Sequence, residues 1–243
     1  LLYAEGNKVI TMDQLSLVTR QDTASGKSYH LNSDFVDADI TGDFSFDSLV
    51  PSLAGFVENY LESFRMRKHA VPVARSTNGQ NLRFVVRTRN SDEVTAVFLP
   101  FLRIAPATVI EGQYDEKREI IVVSGRSPAM FAGGIELADW YLDAETTPDK
   151  LSVTSGASSV FLKRASPEDS LEVKVDSFRL VSTIRDDSIH YHAGWTAGQN
   201  PSNLGGWLSF SASPVIETKL TDFHVWLNDR YWTSDPRNLA RID

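Results

Sequence analysis

Residues 36–47 read Val36-Asp37-Ala38-Asp39-Ile40-Thr41-Gly42-Asp43-Phe44-Ser45-Phe46-Asp47. The even positions up to Phe46 are apolar or glycine, and the odd positions are Asp, Thr or Ser. A period of two sends successive side chains to opposite faces, so this is a strand with one dry and one wet face. Unbroken, it would run about 40 Å at ~3.3 Å per residue. The strands of a parallel α/β sheet, buried on both faces, read as continuous apolar runs. Alternation of this kind belongs to an antiparallel sheet.

The pattern recurs outward along the chain. Leu82, Phe84 and Val86 alternate with Arg83, Val85 and Arg87. Leu171, Val173 and Val175 alternate with Glu172, Lys174 and Asp176. Ile189, Tyr191, Ala193 and Trp195 alternate with His190, His192 and Gly194, and Leu208, Phe210 and Ala212 with Ser209 and Ser211. One segment breaks the rule. Leu49, Leu53, Phe56, Val57, Tyr60, Leu61 and Phe64 follow the i, i+4, i+7, i+8, i+11 spacing of an amphipathic helix. The spacing predicts a helix near 48–66, as an insertion spanning 47–67. Asp47 or Ser48 is expected to cap it, Pro51 to sit in its first turn, and Arg65, Arg67 and Lys68 to complement its negative end. A second short helix is expected around 92–102.

A repeat runs through the second half. Asp149-Lys-Leu151-Ser-Val153 returns as Asp169-Ser-Leu171-Glu-Val173 and as Asp187-Ser-Ile189-His-Tyr191, at offsets of 20 and 18 residues. Each copy follows a polar turn. A step near 20 reads as two strands and two turns, one hairpin per copy, and repeated hairpins build a meander. The stretches 76–80 and 198–206 are too short for linkers. The expected fold is therefore mostly β, a long antiparallel meander with one amphipathic helix, forming a single unit over 1–243.

Composition narrows the function. Hydrophobic residues make up 42% and charged residues 23% of the 243 residues, enough to bury a core. A net charge of −8 argues against a nucleic-acid partner, which needs a basic field, and weakly against an anionic membrane surface. The chain has no cysteine, which excludes disulfides, zinc–thiolate sites and a cysteine nucleophile. That suits the cytoplasm or a bacterial envelope compartment equally. No apolar run approaches the ~18 residues of a membrane-spanning helix. The chain starts at Leu1 in a strand-like stretch, and is expected to be a segment of a larger protein.

No catalytic pattern stands out, and no cofactor or metal is expected. His190 and His192 share a strand face and could reach one metal, but a third ligand is missing apart from Asp186 or Asp187 across a turn. Asp37, Asp39 and Asp43 with Gly42 fail the EF-hand spacing, because the twelfth position is Ser48 rather than Glu. Gly125-Arg-Ser127 and Gly156-Ala-Ser158 lack the second glycine of a nucleophile elbow. There is no G-x-G-x-x-G and no P-loop. Trp140, Tyr141, Trp195, Trp207, Trp226, Tyr231 and Trp232 crowd the second half. They suit core packing first and a sugar-stacking platform second.

Three stretches carry a resemblance. The first is Leu31–Phe46 running into the helix with Tyr60 and Leu61. The second is Leu99-Pro-Phe-Leu-Arg-Ile104 leading to Val109-Ile-Glu-Gly-Gln-Tyr114, and the third is the closing Tyr231-Trp232-Thr-Ser-Asp-Pro-Arg. Together they resemble the TamB family in its Bacteroidetes form, within the AsmA-like group. The resemblance implies a long sheet curled into an open groove, a β-taco, that spans the periplasm from an inner-membrane anchor. It implies a non-enzymatic role in carrying phospholipid acyl chains, or in holding outer-membrane protein clients, with an outer-membrane barrel assembly protein as a partner. The residues expected to line the groove are Val36, Ile40, Phe44, Leu82, Phe84, Leu171, Val173, Ile189, Tyr191, Leu208 and Phe210. The rival reading is a carbohydrate-binding or adhesin-like β-sandwich at the cell surface that uses the Trp cluster. An envelope glycosidase or lyase ranks last.

Overall fold

The computed structural model describes residues 2–5, 8–22, 26–61, 79–92, 95, 101–165, 170–211, 215–227, 230–235 and 237–242. Of these, 72% lie in strands. In chain order the elements are β1 (Leu2–Glu5), β2 (Lys8–Thr11), β3 (Leu15–Asp22), β4 (Gly26–Ser33), β5 (Val36–Asp43), α1 (Phe46–Glu58), β6 (Asn81–Thr88) and β7 (Leu102–Ile104). They continue with β8 (Val109–Asp115), β9 (Ile120–Ala132), β10 (Ile135–Thr147), β11 (Lys150–Ala165), β12 (Ser170–Arg185), β13 (Ser188–Ala197), β14 (Asn200–Ser209), β15 (Ile216–Leu227), β16 (Arg230–Thr233) and β17 (Ala240–Ile242).

β1 and β2 form a sheet of their own. The rest make one 15-stranded antiparallel sheet in the order β16-β15-β14-β13-β12-β11-β10-β9-β8-β6-β5-β4-β3, with β17 beside β15 and β7 beside β9. This is the predicted meander, open at both edges and not closed into a barrel. Its main path of thirteen strands extends about 58 Å at ~4.8 Å per strand.

The repeat has a different meaning from the one its step suggested. Each copy opens one strand, not a hairpin: β11 and β12 are 16 residues long each. Leu151 and Ile189 lie in one cross-strand row through Ile184. Leu171 pairs instead with Arg164 at the opposite end of the sheet. Long strands absorb the whole 20-residue step, so alternate copies start at opposite ends.

The helix also differs in detail. It begins at Phe46, so Ser45, not Asp47 or Ser48, stands at the cap position. The Ser45 carbonyl accepts the Leu49 N–H at 2.9 Å, and its own N–H donates to Gln80 Oε1 at 2.8 Å. Pro51 falls inside the helix rather than in its first turn, so no N–H is available there for the Asp47 carbonyl. Arg65, Arg67 and Lys68 lie outside the described residues. Of the second predicted helix, Asp92 and Thr95 are helical, with the Thr95 N–H donating to the Ser91 carbonyl at 2.9 Å, while Leu102–Ile104 is β7.

α1 packs on the apolar face of the sheet. Its apolar stripe joins Phe44, Phe56, Tyr60, Leu82, Tyr114 and Leu151 in one buried cluster, with Tyr29, Ile40, Leu49, Leu53, Phe84, Ile121, Val153 and Ile184 packed around it. These floor residues come from strands as far apart as β4 and β12. Laid flat, the strands from β4 to β12 would span about 34 Å. A 13-residue helix is about 20 Å long. The sheet curls, and α1 packs on its apolar, concave face.

A crease crosses the long strands. The β9–β10 ladder skips a step between Trp140↔Ser127 and Ala138↔Ala129. β10–β11 skips between Tyr141↔Gly156 and Ala138↔Ser159, and β11–β12 between Ala157↔Phe178 and Ser159↔Asp176. β12–β13 shifts register between Asp176 and Arg179. The skipped positions line up as Pro128, Asp139, Ser158 and Ser177. Asp139 and Ser177 have φ of 48° and 55°. Ser158 Oγ donates to Asp139 Oδ2 at 2.8 Å. A left-handed residue rotates the strand and slips its alternation by one. In β12, Glu172 and Lys174 are exposed before the crease, Ser177 at it and Arg179 after it.

Candidate functional site

Two regions occupy the concave face. β13 keeps an unbroken ladder with β14 from Ser188 to Ala197, so Ile189, Tyr191, Ala193, Trp195 and Ala197 share one side. Ile189 pairs with Ile184, which packs on the α1 cluster. α1 thus covers one end of this face. Six and eight residues along β13, about 20 and 26 Å away at ~3.3 Å per residue, Trp195 and Ala197 face an open groove.

The groove has a volume of about 540 Å³. Its walls are Val160 and Leu162 from β11, Val173, Val175 and Phe178 from β12, Trp195 and Ala197 from β13, and Val225 and Trp226 from β15. Glu172, Lys174, Gly198 and Asn200 also border it. The crease builds this wall. The slip at Ser177 places Val173 and Val175 in the groove beside Phe178, although an uninterrupted alternation would alternate them away from it. Lys174 Nζ is 3.4 Å from Asp176 Oδ1, so the ammonium has a carboxylate partner.

Glycines give aromatic rings room to lie flat along this face. Phe84 pairs with Gly112 and Tyr191 with Gly206. A Cβ on Gly112 would sit 3.0 Å from the Phe84 ring, one on Gly125 3.0 Å from the Trp140 ring, and one on Gly206 2.8 Å from Tyr191 Oη. Any larger residue would lift these rings off the neighbouring strand. The outer face is charged. Arg126 forks onto Asp143 through two 2.9 Å bonds, Arg89 reaches Asp37 at 2.6 Å, and Arg241 reaches Glu217 at 2.9 Å.

At the covered end the apolar contacts carry a few polar ones. Ser52 Oγ and Tyr114 Oη are 2.6 Å apart. Tyr60 Oη donates to the Thr147 carbonyl at 3.2 Å, and the Asp187 N–H donates to the Tyr60 carbonyl at 3.2 Å. Burial holds the Tyr60 hydroxyl above its ordinary pKa, and the negative field of Glu119 adds to this, opposed by a hydrogen bond with the Thr146 side chain. The hydroxyl stays a neutral donor.

The eleven residues expected to line a groove divide between these regions. Phe44 and Leu82 are buried at the α1 end, 3% and 5% exposed, and Ile40 and Phe84 pack beside them. They form core beneath the helix. Val36 is half-buried at the start of β5. Ile189, Tyr191 and Leu208 lie half-buried between the two regions, and Phe210 is buried just beyond β14. Val173 lies in the open groove; Leu171 is in β12, with its side chain outside the described residues. Val175 and Trp195 stand in the alternating runs but are not among the expected groove residues, Trp195 being read with the aromatic cluster. Val160, Leu162 and Val225 gave no separate signal.

The other candidates are scattered. His190 and His192 are exposed on the outer face. His192 Nδ1 lies 3.8 Å from Asp222 Oδ2, Asp222 Oδ1 lies 3.3 Å from His224 Nε2, and His224 Nδ1 meets Tyr231 Oη at 2.7 Å. No group of three or more His, Asp or Glu among the described residues is placed to hold a metal ion. Replacing His190 and His192 together with Gln is expected to change stability by less than about 0.5 kcal/mol, since exposed pairs contribute little; urea unfolding checks this. Asp37 pairs with Arg89, and Asp39 with His30 and Arg87, as an outward strand face requires. The aromatics form no single platform. Trp140 lies on the concave face, Tyr141 lies under the Arg126 guanidinium, Trp195 and Trp226 border the groove, and Tyr231 and Trp232 are exposed at the β16 edge. No protein-family model, curated protein or solved structure matches the chain.

Proposed function

We propose that this chain is a non-enzymatic segment of a periplasmic groove that carries phospholipid acyl chains, or holds outer-membrane protein clients, between the inner and outer membranes. The observation that supports it best is the apolar wall from Val160 to Val225, open among the described residues, on the concave face of an open meander. Its volume is that of a small-molecule site. Each methylene withdrawn from water into it contributes about 0.8 kcal/mol, so ten give on the order of 8 kcal/mol gross. The resemblance to TamB supplies the compartment, the membrane-anchored parent and the barrel-assembly partner.

The carbohydrate-binding sandwich needs a second sheet facing the first. Among the described residues, only the two-stranded β1–β2 lies outside the main sheet. Native mass spectrometry of the chain purified from a bacterial lysate is expected to show bound phospholipid. A lipid-free spectrum, together with no lipid captured by a photocrosslinker at Val175, would defeat the proposal.

A further inference from the structure

We infer that the floor beneath α1 is a second acyl-chain site, continuous with the open groove and occupied in this structure by the helix itself. The inference rests on the groove reading above and extends it. Continuity comes from β13, whose one unbroken face passes from Trp195 in the groove to Ile189 beside the helix-covered Ile184. The floor residues that share the α1 cluster, Leu82, Tyr114, Leu151 and Ile184, carry no charge, and neither do the groove residues Val175 and Trp195. The helix lays an apolar stripe on this floor where an acyl chain would lie.

The helix is also poorly built to stand alone. Pro51 removes an N–H from its interior, Gly55 meets nothing within 4 Å of where a Cβ would be, and its last turn has no basic residue to complement the dipole. Helices shorter than about 12–15 residues are marginal in water even with good formers. α1 therefore holds its shape chiefly by docking. An acyl chain that takes the floor removes what keeps it helical. Among the described residues, the side-chain hydrogen bonds that hold it down include Ser52–Tyr114 and, just past its end, Tyr60–Thr147.

The test is amide hydrogen exchange on the unmodified chain, with and without the fluorescent C18 fatty acid parinaric acid, alongside a fluorescence titration. Displacement predicts that amides of residues 49–58 lose protection by about tenfold or more, while those of β9–β12 keep theirs. A Ser52→Ala variant, lacking one latch, is expected to bind parinaric acid several-fold more tightly. Binding that leaves α1 protection unchanged or raised, with no gain in Ser52→Ala, overturns this inference and leaves the open groove standing. Absence of binding to either form overturns both.

Discussion

Phe56→Ala is expected to lower the unfolding free energy by about 3–5 kcal/mol, the usual cost of truncating a buried phenylalanine. Phe56 is 4% exposed, and its ring meets Tyr60 at 5.7 Å and Tyr114 edge-on at 5.8 Å between centroids. Two aromatic contacts are lost together with the transfer free energy of the ring. The floor side cannot close the cavity, because Tyr114 is pinned in β8 by ladders to β6 and β9. Relaxation must come from α1, which is weak on its own. Part of the loss is therefore expected as earlier undocking of the helix, visible as faster exchange of α1 amides below the main unfolding transition. Urea unfolding followed by circular dichroism measures the total. A change below about 1 kcal/mol would show that the helix stripe is not core.

The alternation in residues 36–47 was enough to find an antiparallel sheet, because a one-sided sheet writes its burial into every second residue. The stripe from Leu49 to Leu61 located the helix for the same reason. The strand lengths were less legible. A repeat of 20 residues fits one 16-residue strand and a turn as well as it fits a short hairpin, and nothing in Asp149, Asp169 and Asp187 marks which end of the sheet a turn occupies. The crease was invisible for a different reason. Asp139 and Ser177 take positive φ without being glycine, and polar residues inside a strand read as its wet face. The groove wall depends on that slip, so residues after it, Phe178 among them, could not be placed by counting. The split between covered and open floor follows from where α1 lands, which is a tertiary fact. Phe84 and Val175 look alike in their strands, yet one packs at the helix-covered core and the other borders open space.

That difference gives the second large expectation, which is that Val175→Asp abolishes lipid occupancy while the chain still folds. Val175 is half-buried on the groove wall, opposite Val160 in the β11–β12 ladder, with Trp195 and Val225 across from it. A carboxylate there can keep its water, because the groove is open, so the folded state bears little of the cost. An acyl chain entering the groove must strip that water away, a penalty of several kcal/mol for a charged group left unpaired in an apolar environment. Ten methylenes contribute about 8 kcal/mol gross before ordering costs, so the penalty removes most of the net affinity. The same substitution at Phe84 has the opposite signature. Phe84 is half-buried over Gly112 but packs against the buried cluster under α1, so a carboxylate there gives up core contacts that the groove wall does not have, and Phe84→Asp is expected to lose the fold along with the lipid. Native mass spectrometry reads occupancy, and thermal unfolding by circular dichroism reads the fold. The expected pair is a lipid-free but folded Val175→Asp, melting within a few degrees of the parent, and a Phe84→Asp that melts far lower or does not fold. Lipid retained at full occupancy in a folded Val175→Asp would mean that acyl chains do not run along this wall.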